Sequence, residues 1–326
     1  MQHKIHLEPS EAVVLVSGGS GLIGTALAKR LAAAGAEVRI LGRSTAGAPK
    51  SGGEQSGKTA KTGRIRYFSW NPSAGTVDRE ALPNLTHLVN LAGAGIADKP
   101  WTLSRKSELW SSRTHSTEFL RKTLLDQGMQ EGGLRSIVTA SAVGYYRTGE
   151  ELATETSPRG QGFLAELTEA WEQSSGKLAA LGPLTTLRIG LVLSGQGGLL
   201  GPLLPVTKLG LGAAMGTGRQ WMSWIHMDDL VELTVHALFH PGWQAGTYNA
   251  VAPLPRRHLS FMRCLASSLH RPLWLAVPAW PLRLAMGERS SLILEGVKAS
   301  SQKVQDAGFV FQHPDLEGAL HRLFQK

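Results

Sequence analysis

Residues 13–24 read Val13-Val14-Leu15-Val16-Ser17-Gly18-Gly19-Ser20-Gly21-Leu22-Ile23-Gly24. An apolar run leads into a glycine-rich turn, and a helical pattern follows through Thr25-Ala26-Leu27-Ala28-Lys29-Arg30-Leu31 to a stop at Gly35. Strand, glycine turn and helix in that order are the setting in which a glycine fingerprint marks a dinucleotide site. One glycine makes the tight turn, one lets the backbone approach the pyrophosphate, and one lets helix and strand pack closely. The pyrophosphate then meets the free N–H groups and the positive dipole end of the helix. Gly18, Gly19, Ser20, Gly21, Leu22, Ile23 and Gly24 are therefore expected to line a nucleotide. The plainer alternative is a tight turn in some other α/β protein. A second strand at 36–41, at the right distance, weighs against it.

The end of that second strand indicates which dinucleotide. An NAD site usually carries Asp or Glu there to hold the ribose 2′-OH. Here the strand ends Leu41-Gly42-Arg43-Ser44. Arginine cannot accept from a hydroxyl, but its fork suits the 2′-phosphate of NADP. Ser44 adds a hydroxyl donor. Gly42, Arg43 and Ser44 thus point to NADP(H) as the cofactor.

Composition narrows the classes. The chain has 326 residues, 42% hydrophobic and 18% charged, as expected of a globular protein with one large core or two smaller ones. No apolar run reaches the roughly 18 residues a membrane helix needs, and residues 1–11 lack the apolar core of a signal peptide. The single cysteine, Cys264, lies in a helix-like pattern with Phe261 and Leu265 and reads as packing. These features predict a cytoplasmic protein with no membrane partner. The net charge of +9 raises nucleic-acid binding. The positive residues are scattered, with no basic stripe interleaved with aromatics, so an attraction for anionic cofactor and substrate is the preferred reading.

Along the chain, strands are expected at 64–69, 87–91, 136–140 and 185–191, and long helices at 103–127 and 163–181. Alternating strands and helices imply a parallel sheet covered on both faces. The fold class is therefore α/β: a Rossmann-type doubly wound parallel sheet over residues 12–193, with a smaller α+β lobe over 194–326. Residues 44–63 form a polar insertion. Within it Gly52-Gly53-Glu54-Gln55-Ser56-Gly57-Lys58-Thr59 matches the phosphate-loop pattern letter for letter. That motif requires a strand before it and a helix after it, and neither is expected here.

Several further motifs appear in order: Asn90-Leu91-Ala92-Gly93; Trp101 with Ser112-Arg113 and Thr117; Ser141-Ala142-Val143-Gly144-Tyr145-Tyr146; Trp171-Glu172; Arg188-Ile189-Gly190-Leu191-Val192-Leu193; Gly216-Thr217-Gly218-Arg219-Gln220-Trp221; Trp224-Ile225-His226-Met227-Asp228-Asp229-Leu230; and Gly287-Glu288, Leu294-Glu295-Gly296 and Gly308-Phe309 in the tail. With them the chain resembles the extended short-chain dehydrogenase/reductase superfamily. More narrowly, it is similar to an atypical epimerase family branch that carries a small C-terminal domain of unknown function, here at about 277–323. The resemblance implies that Leu91, Ala92 and Gly93 lie along the adenosine-to-pyrophosphate part of the cofactor. It also implies that Glu108 and Arg113 touch NADP from the long helix, and that Val192 stands at the nicotinamide end.

Ordinary reductases of the superfamily use a Ser and a Tyr-x-x-x-Lys, in which the tyrosine transfers the proton and the lysine lowers its pKa. Ser141 fits the serine position. Residues 163–168, where the tyrosine and lysine should fall, read Phe163-Leu164-Ala165-Glu166-Leu167-Thr168. Tyr145, Tyr146 and Lys106 are the conceivable substitutes, and Glu166 reads as solvated. The branch usually has a glutamate where Ala94 stands and a basic residue where Pro100 stands. Asp228 and Asp229 read as cap and first turn of a helix, and His226 as a structural hydrogen-bonding residue. No metal-ligand spacing is present. The chain thus reads as an NADP(H)-dependent oxidoreductase or epimerase-like enzyme for a small-molecule substrate, polar or anionic, with Ser141 and Tyr145 as catalytic candidates. The alternative is a catalytically silent NADP(H) sensor. A homodimer is compatible with either.

Overall fold

The computed structural model describes residues 8–43 and 63–324. Ser44 and the phosphate-loop look-alike at 52–59 lie outside the described residues.

The first half alternates as expected: β1 (Val13–Ser17), α1 (Leu22–Ala33), β2 (Glu37–Gly42), β3 (Ile65–Asn71), β4 (Thr76–Val77), β5 (His87–Asn90), α2 (Leu103–Asp126), β6 (Ser136–Ala142), β7 (Leu152–Ala153), α3 (Phe163–Gly176) and β8 (Leu184–Ile189). A 3-10 segment, Lys177–Leu181, completes the helical run expected to 181. The strand expected at 185–191 divides at Gly190 into β8 and β9 (Leu191–Ser194). The cause is a close approach. A Cβ on Gly190 would lie 2.5 Å from the carbonyl oxygen of Ser223.

The second half runs β10 (Gly197–Gly198), α4 (Leu200–Lys208), β11 (Ala213–Met215), β12 (Trp221–Met222), β13 (Trp224–His226), α5 (Met227–Phe239), β14 (Gly246–Ala250), β15 (Arg256–Arg257), α6 (His258–Ser268), β16 (Leu275–Val277), α7 (Ala279–Met286), α8 (Ser291–Leu294), β17 (Lys298–Ala299), α9 (Gln302–Asp306) and α10 (Leu316–Phe324).

The main sheet has eight strands in the order β14-β8-β6-β5-β1-β2-β3-β4. Every pairing is parallel except the edge pair of β3 with β4. This is the doubly wound order. The strand sequence reverses between β1 and β5, and ligands of such sheets bind outside the carboxyl ends of the strands at that point. Both faces are buried, as the apolar runs require. Val14 and Val16 pack with Leu27, Leu31 and Leu230 on one face, while Leu15 packs with Leu88, Leu120 and Ile137 on the other.

Chain order and lobe membership do not coincide after Ser194. α5 packs on the main sheet, and β14 completes it beside β8. The smaller lobe has its own core around Trp224, Phe261, Leu265, Leu316 and Leu320. No helix among the described residues is long and apolar enough to cross a membrane.

Candidate cofactor and active site

The glycine turn sits at the reversal point. Gly18 has φ +73°, a backbone region that favours glycine, and a Cβ there would lie 2.6 Å from the Leu91 carbonyl oxygen. A Cβ on Gly24 would lie 2.4 Å from the Gly18 carbonyl oxygen, so the first turn of α1 can approach β1 only as glycine. The cap residue of α1, Gly21, offers no side-chain acceptor. The amides of the first turn therefore have no side-chain cap, and an anion can take that place.

Beside the turn, Asn90 ties three elements together. Its Oδ1 accepts from Ser17 Oγ at 2.5 Å, and its Nδ2 donates to Thr117 Oγ1 on α2 at 2.9 Å. This sets the course of Leu91, Ala92 and Gly93 past the end of β5. Directly against Gly93 lies the guanidinium of Arg113, whose Cζ would be 3.2 Å from a Cβ at that glycine. Arg113 is 9% exposed. It donates to the carbonyl oxygens of Leu109 and Ala94, each at 3.0 Å. No carboxylate pairs with it among the described residues. Burial, and then the charge of Arg105, lower its pKa to about 10. It remains a cation near neutral pH, held 4.9 Å over the Trp171 ring and without a counter-ion among the described residues.

Glu108, expected to touch the cofactor with Arg113, is turned to solvent and holds Arg105 at 2.7 Å. The Arg105 hydrogen bond, chiefly, keeps its carboxyl below the usual range, and the charges of Lys99 and Arg43 act in the same direction. Arg105 also donates to the Gly95 carbonyl. At the end of β2, Arg43 follows Gly42 and is exposed, with its charge acting on Glu108. Val192 lies on β9, paired with Ile225 of β13, where the chain leaves the main sheet.

On the other side of the reversal point a buried polar network runs under the ends of β6, β8 and β14. Ser141 Oγ donates to Glu172 Oε1 at 2.5 Å. Arg188 grips the same carboxylate with Nε and Nη2, both at 2.8 Å. Its Nη1 donates to the Tyr146 hydroxyl at 2.8 Å, and that hydroxyl donates to Asn249 Oδ1 at 2.7 Å. Burial pushes the Tyr146 pKa up to about 12, against the opposing pull of Arg188. Tyr146 is thus a buried structural tyrosine that holds its proton. Tyr145 is only partly buried, and its ring lies 3.6 Å from the Arg188 guanidinium carbon. Of the two tyrosines, Tyr145 is the more exposed.

Phe163, the first of the residues 163–168 where the superfamily tyrosine and lysine are expected, opens α3. Trp101 packs edge-on against it with ring centroids 5.1 Å apart. Lys106 Nζ stands 4.8 Å above its ring and pairs with Glu288 from the C-terminal segment. Arg289 donates to the Ala97 carbonyl oxygen. The small lobe therefore closes against the loop that follows β5. Glu166 is exposed, as expected.

His226 corrects one detail. The cap of α5 is His226 itself, whose Nδ1 accepts from the Asp228 amide at 3.2 Å. Asp229 is buried and accepts from the amides of Gln312 and His313, anchoring the tail. Asp228 and His313 also approach His226, but its Nδ1 lone pair is already used as the cap.

Comparison with known proteins bears on this geometry. A model of the NAD dependent epimerase/dehydratase family matches residues 14–162, and a model of a domain of unknown function, DUF1731, matches residues 277–323. An Arabidopsis thaliana protein described as "Epimerase family protein SDR39U1 homolog, chloroplastic" is 34% identical over 323 residues, covering 97% of this chain and 88% of its own. The chain belongs to the epimerase family. Within that family, Bacillus subtilis epimerase family protein YfhF is 34% identical over 313 residues, 95% of this chain and 97% of the relative. A crystal structure of human epimerase family protein SDR39U1 with NADPH superposes with a TM-score of 0.82 at 28% identity. It covers 96% of this chain and 99% of the human one.

In this epimerase family chain, the residues expected from the sequence at the glycine turn, at Leu91 to Gly93 and at Arg113 lie together at the reversal point, and Arg43 is exposed at the end of β2. Sequence reasoning missed the load on Glu172, Arg188 and Asn249. Trp171-Glu172 and Arg188 were visible as motifs, but nothing local says that residues 16 and 31 positions from Glu172 meet on one carboxylate. It also missed the pairing of Lys106 with Glu288, which joins residues 182 positions apart.

Proposed function

We propose that this epimerase family chain binds NADP(H) and acts as an oxidoreductase or epimerase-like enzyme on a small polar substrate. The observation that carries the reading is Arg113, a buried cation with no carboxylate partner among the described residues, set against Gly93 in the segment whose Leu91 and Ala92 meet Gly18 of the glycine turn. A buried charge is costly unless it is paired, and a pyrophosphate at this point supplies the pair. The NADPH in the human relative and the exposed Arg43 at the end of β2 support the phosphorylated dinucleotide. Gly18 and Gly24 leave room for the backbone approach that a pyrophosphate needs.

A bound nicotinamide supplies or accepts a hydride. The chain's own residues then do the rest. Glu172 fixes the Ser141 hydroxyl, and Arg188 fixes the Tyr145 ring from beneath. In this reading the Tyr145 hydroxyl donates to the substrate oxygen, and Ser141, whose proton is held by Glu172, acts only as an acceptor that orients a substrate hydroxyl. Phe163 and Trp101 keep water from that wall. A second reading, an NADP(H) sensor without turnover, draws support from Phe163, since a phenyl ring carries no proton.

The test is a fluorescence titration with NADPH and NADH. Single-turnover oxidation of the bound NADPH follows, against a panel of carbonyl compounds and nucleotide sugars. The enzyme reading expects NADPH to bind more tightly than NADH and one compound class to oxidise it. Tight binding with no oxidation favours the sensor, and failure to bind either dinucleotide removes both readings.

A further inference from the structure

The exposed apolar side chains are unevenly placed. Among the described residues, eight large apolar side chains are more than half exposed. Five of them, Leu209, Leu211, Trp274, Trp280 and Leu284, fall in two short segments, 209–211 and 274–284. Scattered surface leucines need no explanation, but a concentrated group does. The two segments are neighbours in space. β11 pairs with β16 in the register Ala213 to Leu275, and Arg271 Nε donates to the Lys208 carbonyl oxygen at 2.7 Å.

α7 follows β16 through Pro278 and has no buried residue. It is not an element of the core. Trp280 and Leu284 are one helical turn apart and share a face, at 69% and 82% exposure. Arg283 stands beside them.

The sequence through this tip carries charge of one sign. No Asp or Glu occurs between Glu172 and Asp228, and none between Glu232 and Glu288. From 173 to 287 there are nine Lys and Arg against three acidic residues. Lys208, Arg271 and Arg283 lie within or next to the apolar segments. Glu288, the first acid after the tip, is already held by Lys106. Two exposed tryptophans, exposed leucines and cations without intervening acids match a surface that is apolar beneath and anionic above. Tryptophan favours the bilayer interface, and a basic apolar helix lies in the interface plane rather than crossing it.

We propose that this tip, built on α7, the 209–211 turn, and Trp274 with Leu275 at the start of β16, docks the protein peripherally on an anionic lipid surface. This departs from the expectation of no membrane partner, which rested on the lack of a spanning segment in the sequence. Docking of this kind requires none. It is independent of the cofactor reading.

The test is co-sedimentation of the full chain with sucrose-loaded vesicles, one set of phosphatidylcholine and one with about one-third phosphatidylglycerol. A variant carrying both Trp280→Ser and Leu284→Ser is compared, with a circular-dichroism melt to show that it folds. The expected result is at least tenfold stronger partition into the anionic vesicles, falling as salt rises. The double variant, melting normally, should lose at least tenfold of that binding. Absence of binding to anionic vesicles, equal binding to both vesicle types, or binding unchanged in the variant overturns the proposal. A sedimentation-equilibrium mass of two chains that returns to one in the variant also overturns it, by giving the face to a second copy.

Discussion

Glu172→Ala removes the centre of the polar network beneath the site. In the native protein the Glu172 side chain is 16% exposed and the Arg188 side chain 6%. The substitution deletes two Arg188 hydrogen bonds and the acceptor for Ser141. Burial works against the charge on Arg188, yet its bonds to Glu172 and Tyr146 hold its pKa above the ordinary arginine value. Without the carboxylate that charge stays buried and only partly satisfied. Breaking a buried pair by removing one partner costs on the order of 3–5 kcal/mol. Unfolding entropy is about 2.1 cal/mol/K per residue, or roughly 0.7 kcal/mol/K for a chain of 326 residues, so the melting temperature should fall by about 4–7 °C. Differential scanning calorimetry reads this directly. The double variant Glu172→Ala with Arg188→Met should lose clearly less than the sum of its two singles, because no orphaned charge remains. A drop under about 1 °C, or strictly additive losses, refutes the claim that the pair is a coupled buried unit.

Other outcomes follow from single contacts. Gly24→Ala places a methyl 2.4 Å from the Gly18 carbonyl oxygen, so NADPH affinity should fall at least tenfold in a fluorescence titration, and an unchanged affinity contradicts the packing described. Burial lowers His87, His226 and His258 from 6.5 to about 4. The unfolded chain takes up these protons first as pH falls, so stability is full above about 6.5 and is lost between there and about 4. Urea midpoints at pH 7, 6, 5 and 4 should decline over that interval, and a flat series argues against neutral buried histidines. Burial first, and then Glu317, push the Cys264 thiol from 9.0 up to about 11. Iodoacetamide at pH 8 should therefore label the folded protein roughly a hundredfold more slowly than the urea-unfolded chain, and equal rates would contradict that environment.

What was legible in the sequence was what leaves a local pattern. Buried parallel strands are short apolar runs, so β1, β2, β5 and β6 fall within two residues of expectation. The glycine turn is a local steric demand, and Arg43 stands next to a strand end. Arg113 was legible as a residue, but its lack of a carboxylate partner was not. The network on Glu172 draws on Ser141, Arg188, Tyr146 and Asn249, whose bonds span up to 103 positions. Such contacts have no period and appear only when the sheet aligns its strand ends. The same holds for the α5 cap. Aspartates usually cap helices, but α5 begins at Met227, so His226 stands at the cap and accepts from the Asp228 amide, while Asp229, inside the first turn, holds the Gln312 and His313 amides. The break at Gly190 arises from Ser223, an approach across the lobe junction.

The central claim is that the reversal point of the sheet holds NADP(H), read by Arg43. The most direct measurement is the dissociation constant of NADPH and of NADH for the native chain and for Arg43→Asp. A charge-assisted hydrogen bond is worth about 1.5–3 kcal/mol. The native chain should therefore prefer NADPH by about tenfold or more, and Arg43→Asp should remove that preference while leaving NADH binding within a few-fold of native. Equal binding of both cofactors by the native chain, or an equal loss of both in the variant, contradicts the account.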